Sequence, residues 1–129
     1  MPSPEVSILA FDFGLRHIGL AVGQTVTRTA NPVTTLRADA GKPDWQALDE
    51  IVGVWQPDLM IVGLPLNMDD SESEMSERAR HFADELHQRY LSPVELVDER
   101  LSSFEAKQIN AGDGHAVAAQ LIAETWLTR

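Results

Sequence analysis

The chain has 129 residues, 43% of them hydrophobic, no cysteine and a formal net charge of −10. That length suits one domain around one core, spanning residues 1–129, and the apolar content excludes a chain that is disordered throughout. Without cysteine there is no disulfide framework, thiolate metal site or thiol nucleophile, and the acidic balance excludes a passive nucleic-acid binder resting on a basic footprint.

The opening residues, MPSPEVSILAFDFG, have no basic n-region and are interrupted by Asp12, so they do not read as a signal peptide. No apolar run approaches the length of a membrane span. A cytoplasmic protein that makes no membrane contact is the expectation.

Residues 6–12, VSILAFD, read as a mostly buried strand, and Gly14 marks a turn after it. HIGLAVG, 17–23, alternates Ile18, Leu20 and Val22 with smaller residues and predicts a second strand. The short connection predicts an antiparallel hairpin. TANPVTTLR follows as a third strand, and Pro32 places it at an edge. KPDWQALDEIVGVWQPD predicts a helix, with Pro43 in its first turn and Trp45, Leu48, Val52 and Trp55 at helical spacing. Gly53 weakens that helix and Pro57 ends it.

LMIVGLPL, 59–66, is a continuous apolar run too short for a typical helix and fits a central parallel strand. NMDDSES is a polar loop. A helix over about 72–90 is expected next, with Met75, Ala79, Phe82, Leu86 and Tyr90 as its stripe and Ser71 with Glu74 as a capping box. PVELVDER, 93–100, returns to strand, SSFEAKQI starts a short helix, NAGDG breaks it, and HAVAAQLIAETWL is the final helix. The order β-β-β-α-β-α-β-α-α describes an α/β mixed sheet with helices on its faces.

Several acids fall at the ends of these elements: Asp12 after the first strand, Asp98 and Glu99 after the last, and Asp113 before the final helix. Ligands of open α/β sheets gather at the carboxyl ends of parallel strands. With the first, fourth and fifth predicted strands as neighbours, Asp12 and the Asp98/Glu99 pair lie close together at that rim. Crowded carboxylates repel and lose water. Mg²⁺ or Mn²⁺ would offset the cost, since both take oxygen ligands, and such ions support phosphodiester hydrolysis.

Each residue also has a plainer reading. Asp12 could be a turn aspartate before Gly14, Asp98 and Glu99 a surface pair or helix cap, and Asp113 an ordinary turn residue. Strand alternation points Asp98 and Glu99 to opposite faces unless the strand has ended, so only one need be a ligand. In GLPLNMDD, Gly63 would allow close approach, Pro65 would stiffen the strand exit and Asn67 would offer a neutral contact to phosphate; otherwise this is a common strand-to-helix loop. Arg16, Arg100 and Lys107 could hold a backbone phosphate or pair with neighbouring acids. His17, His81 and His87 are read as surface or structural, since His81 and His87 lack zinc-site partners.

FDFGLRHIGLAVGQ, PDWQALDEIVGVWQPDLMIVGLPLNMD, SERARHFADEL and VDERLSS together resemble the YqgF family over nearly the whole chain. Its members are bacterial RNase H-like proteins described as Holliday-junction-resolvase-like and as nucleases maturing the 5′ end of pre-16S ribosomal RNA. The resemblance implies an RNase H-like fold with a five-stranded mixed sheet, and divalent-metal cleavage of phosphodiesters by a cluster of acids. It implies Asp12 as the first-strand aspartate, Gly63-Leu64-Pro65 as the family's loop and Asp98-Glu99-Arg100 as its acidic motif, with Glu99 favoured over Asp98 as second ligand. At the last helix this sequence departs from the family pattern. Matching Ala118 and Ala119 to the family's alanine pair puts His115 where an aspartate stands, and the preceding loop is short. Asp113 supplying the carboxylate from the turn ranks first, with His115 as ligand or proton carrier, or loss of the third ligand, as the alternatives.

The partner implied is nucleic acid, as pre-rRNA or branched DNA. A resolvase acting on a two-fold junction would call for a homodimer. Two rivals stay open: a nucleotide-binding domain of the actin/sugar-kinase type, for which 129 residues leave no second lobe, and a non-catalytic partner of ribosome-assembly or transcription proteins.

Overall fold

The computed structural model describes residues 6–99 and 114–128. Its strands are β1 (Ser7–Asp12), β2 (His17–Gln24), β3 (Thr29–Asp39), β4 (Lys42–Pro43), β5 (Leu59–Leu64) and β6 (Val94–Asp98). The helices are α1 (Trp45–Trp55), α2 (Glu74–Tyr90) and α3 (Gly114–Leu127). They form one sheet in the order β4-β3-β2-β1-β5-β6. β1 pairs antiparallel with β2 and parallel with β5, and β5 pairs parallel with β6. The carboxyl ends of β1, β5 and β6 therefore share one rim.

The sheet has six strands rather than the five expected. The extra one is the two-residue β4, in which Lys42 and Pro43 pair with Asp39 and Ala38. Pro43 thus lies outside the helix it was expected to open. Asp44 is the reason: its carboxylate accepts from the amides of Gln46 (3.1 Å) and Ala47 (3.3 Å), so α1 starts one residue later, at Trp45. β3 is longer than expected. Pro32 sits beside a bulge, where the register shifts between Leu20 and Ala21 and leaves Val33 as the extra residue.

Alternation along the strands sorts the core into two layers. Leu9, Phe11, Phe13, Ile18, Leu20, Met60, Val62 and Leu64 point to the side of α1 and α2 and meet Leu48, Ala79, Phe82 and Leu86. Ile8, Ala10 and Ile61 point the other way, to Ile122, Ala123, Trp126 and Leu127 of α3. β1 and β5 are covered on both faces, which is why their sequences are almost unbroken apolar runs. The α1 stripe is only partly as expected: Leu48 is buried, Trp45 and Val52 pack partly, and Trp55 is exposed.

The cap of α2 also differs from expectation. Ser73, not Ser71, is the N-cap, and it exchanges hydrogen bonds with Ser76 rather than Glu74. The fully buried Ser76 hydroxyl also donates to the Pro65 carbonyl, so the start of α2 is tied to the exit of β5. At its other end, Arg89 binds Asp49 of α1 through two contacts of 2.8 and 2.6 Å, and the Tyr90 hydroxyl donates to the same carboxylate at 2.7 Å. No helix among the described residues is long and apolar enough to cross a membrane.

The Arg89 guanidinium and the Tyr90 hydroxyl hold the Asp49 carboxyl down at about 2, below its ordinary 3.8. A depressed folded-state value favours folding at pH above the unfolded value, and that contribution disappears as pH falls through the folded one. Asp49→Asn should therefore flatten the loss of stability between about pH 4 and pH 2 relative to wild type. Urea unfolding at several pH values checks this, and the difference should shrink in high salt because the pair is exposed.

Candidate active site

Asp12 ends β1 and is only 5% exposed. Its even position gives it the face of Ile8 and Ala10, toward α3. On β6, the Trp126 indole of α3 donates to Glu95 at 2.7 Å and Val97 packs in the α3 layer, so the odd residues of that strand face α3. Glu99 lies just past the strand, in a tight turn, and is 8% exposed, whereas Asp98 belongs with Leu96 on the opposite layer. A side chain built on Gly63 would put its Cβ 3.6 Å from the Cβ of Glu99. Glu99 thus stands beside β5 on the face that Asp12 shares. The β1–β5 register ends at Phe11 opposite Val62; continued by one residue, it puts Asp12 level with Gly63. β1 and β6 lie two strand spacings apart, about 10 Å, and Asp12 and Glu99 reach into that interval from either side, where together they could hold a hard divalent cation.

Two glycines let α3 come close enough to complete this corner. Gly19 is the cross-strand partner of Asp12. A Cβ there would overlap the His115 carbonyl and lie 2.8 Å from the Ala116 nitrogen. The backbone of the first turn of α3 therefore rests directly on β2. At Gly63 a Cβ would lie 2.6 Å from Cδ1 of Ile122, so the close approach permitted there is that of a core side chain.

This seating carries His115 to the carboxylate: its Nδ1 lies 3.9 Å from Oδ2 of Asp12, with half of the side chain exposed. The ring of His17 stacks on that of His115, with centroids 4.9 Å apart and planes 16° from parallel. His17 was expected to be a surface or structural residue; its place beside the site depends on contact with a helix nearly one hundred positions away. The one sequence sign was its spacing of two residues from Gly19 on β2, which puts both on one face.

The other site candidates are scattered. Arg16 is exposed in the turn between β1 and β2, and its carbonyl accepts from Ala38 at 2.8 Å. Asn67 is drawn into the loop after β5, where its amide donates to the Ser71 hydroxyl at 3.0 Å. His81 faces Glu85 at 3.5 Å, and the His87 ring meets the Ser92 carbonyl at 2.9 Å, both on exposed surface. Arg100, Lys107 and Asp113 lie outside the described residues, as does the short helix expected from SSFEAKQI. Among the described residues no three His, Cys, Asp or Glu side chains are grouped closely enough to hold a metal ion.

A family model described as RuvX, Holliday junction resolvase, matches residues 6–129. The chain belongs to this family. Among its relatives, a Nitrosococcus oceani protein named "Putative pre-16S rRNA nuclease" is 51% identical, over 98% of this chain and 90% of its own length. A Marinobacter nauticus protein of the same name is 52% identical, over 98% and 96%. These alignments run over 136 and 137 positions, more than the 129 residues here, so both relatives carry residues that this family member lacks. Among solved structures, Thermus thermophilus RuvC in complex with a Holliday junction substrate has a TM-score of 0.55 at 14% identity, over 93% of this chain and 91% of that one. The fowlpox virus Holliday junction resolvase has a TM-score of 0.53 at 10% identity, over 95% and 97%. The fold is the RNase H-like fold of these resolvases.

The two glycines meet different obstacles, and their variants should separate. Gly19→Ala drives a methyl into rigid backbone and should cost about 3 kcal/mol or more, at the upper end of overpacking penalties. Gly63→Ala meets the flexible end of Ile122 and should cost about 1 kcal/mol. Urea denaturation of both variants measures the difference; equal costs would mean that α3 is not seated on Gly19 as described.

Proposed function

We propose that this RuvX family member is a divalent-metal-dependent nuclease that cleaves phosphodiester bonds in pre-16S rRNA, with Asp12 and Glu99 as the metal-holding carboxylates. The observation that carries this reading is the shared face: two nearly buried acids, from strands far apart in sequence, turn toward the same helix at the carboxyl rim of a parallel β-β-β unit. Oxygen donors of this kind suit Mg²⁺ or Mn²⁺. The names of the relatives support pre-16S rRNA as the substrate.

A bound divalent ion would supply activation of water and stabilisation of the leaving oxygen. The chain's own residues do the rest. Asp12 and Glu99 would hold the ion at the rim, where a phosphate can reach it from solvent. Their burial fixes their rotamers, so little conformational freedom is left to lose when substrate arrives. Asp98, on the opposite layer, has no part in this reading. Asp113 remains the candidate third acid from the sequence.

A branched DNA substrate is the second reading. It is favoured by the family description and by structural likeness to resolvases, which extends to the fold alone at 10–14% identity.

The test is cleavage of a 5′-extended pre-16S transcript and of a four-way DNA junction, each with Mg²⁺ and with Mn²⁺. Asp12→Asn and Glu99→Gln should each lower the rate by about 100-fold or more, the scale on which loss of one transition-state stabilising group is felt. Asp58→Asn, on the far side of β1, should cleave like wild type; Asp58 accepts from the Ser7 amide at 2.9 Å, at the opposite end of that strand. Equal rates for Asp12→Asn and Asp58→Asn would refute the assignment.

A further inference from the structure

The charges of this acidic protein are not evenly spent. On α2, Arg78 pairs with Glu74 at 3.2 Å, Arg80 with Glu72 at 2.7 Å and Arg89 with Asp49 at 2.6 Å. Those three cations are neutralised within the fold. Arg16 and Arg37 form no ion pair among the described residues, and both are exposed. They lie side by side at one end of the sheet, because the Arg16 carbonyl accepts from Ala38, the residue after Arg37, at 2.8 Å.

Register places Arg37 relative to the carboxylates. It stands directly opposite His17 in the β2–β3 ladder, and opposite residues of an antiparallel pair project to the same face, about 5 Å apart. The face is that of Gly19, which carries the first turn of α3. α3 runs from there toward Ala30, whose carbonyl accepts from Gln120 at 3.0 Å. The row formed by His17 and Arg37 therefore lies beyond the helix's start and is exposed. A continuous line results: Asp12, then His115 at 3.9 Å, then the stacked His17 at 4.9 Å, then Arg37.

We propose that this line is the track of the substrate's sugar–phosphate backbone, with Arg37 and Arg16 each taking a phosphate and the His17–His115 stack lining the path to the carboxylates. The inference rests on the nuclease reading and adds the direction of approach: the strand enters over β2 and β3, and not over α2. Guanidinium groups suit phosphate oxygens because they donate two parallel hydrogen bonds. The imidazole rings offer ring N–H donors and a flat surface for a base. On a chain of net charge −10, a local strip with uncompensated cations is where a polyanion is least repelled.

The test is equilibrium binding of labelled single-stranded RNA and of a four-way DNA junction, by fluorescence anisotropy in EDTA, over a series of KCl concentrations. Removing a phosphate contact should lower the magnitude of the log K against log[salt] slope by about 0.7 for a single strand and 0.9 for duplex arms. Arg37→Ala and Arg16→Ala should each do this and weaken binding several-fold at low salt, and the double variant should show the sum. Arg37→Lys should keep most of the slope. Arg78→Ala, which removes a cation already paired on α2, should bind like wild type. The RNA and junction arms show which nucleic acid follows the track. The proposal is overturned if Arg37→Ala retains the wild-type slope and affinity, if Arg78→Ala loses as much, or if the wild-type protein binds neither probe. Asp12→Asn keeps the two readings apart: it should lose cleavage and keep binding, so a normal slope in Arg37→Ala with inactive Asp12→Asn refutes the track alone.

Discussion

The contact between Gly19 and the first turn of α3 sets the geometry of the whole rim. With no side chain at position 19, the His115 carbonyl rests on β2 directly beside the partner position of Asp12. From that point α3 runs back across the sheet, filling the gap over Gly63 with Ile122 and receiving Glu95 through Trp126. Both acids at the rim acquire their surroundings from this one helix. A residue with a β-carbon at position 19 would lift the helix by the thickness of a methyl, and the line from Asp12 through His115 to His17 would open with it.

An acidic protein that handles a polyanion has to separate its charges. Here the separation is made by pairing. α2 carries three arginines and keeps each engaged, Arg78 with Glu74, Arg80 with Glu72 in the loop before the helix and Arg89 with Asp49 of α1, so none of these cations is left for a phosphate. The β2–β3 end carries Arg37 between Leu36 and Ala38 and opposite His17; Asp39, two positions on, forms no ion pair with it among the described residues. The carboxylates at the rim are of a different kind: buried, on one face, and matched in chemistry to a hard cation.

Much of this was legible in the sequence because strand periodicity is strict. The apolar runs of β1 and β5 announced central strands, while the separation of Glu99 from Asp98 rests on the end of β6 at Asp98, where alternation stops. Asp12 at a strand end followed from the same pattern. Other features were decided by competition that periodicity does not register. Asp44 took the cap of α1 and left Pro43 to a strand, while Ser73 won the cap of α2 because Ser76 could also reach the Pro65 carbonyl. Trp55 fits the helical stripe by spacing, yet as the last residue of α1 it borders an open cavity with Val22 and Val33 and stays 43% exposed. The His17–His115 stack and the standing of Arg37 beside it depend on register between strands and on how one helix docks, which local composition does not encode.

The central claim is that Asp12 and Glu99, turned to one face, hold a divalent ion together, and that Asp98 does not share in it. Titration of the protein with Mn²⁺, read by the loss of the free-ion electron paramagnetic resonance signal, tests this without reference to any substrate. Asp12→Asn and Glu99→Gln should each weaken Mn²⁺ binding by at least the roughly 10-fold that loss of even an outer partner costs, while Asp98→Asn should bind as wild type does. Wild-type affinity in Glu99→Gln together with lost affinity in Asp98→Asn would contradict it.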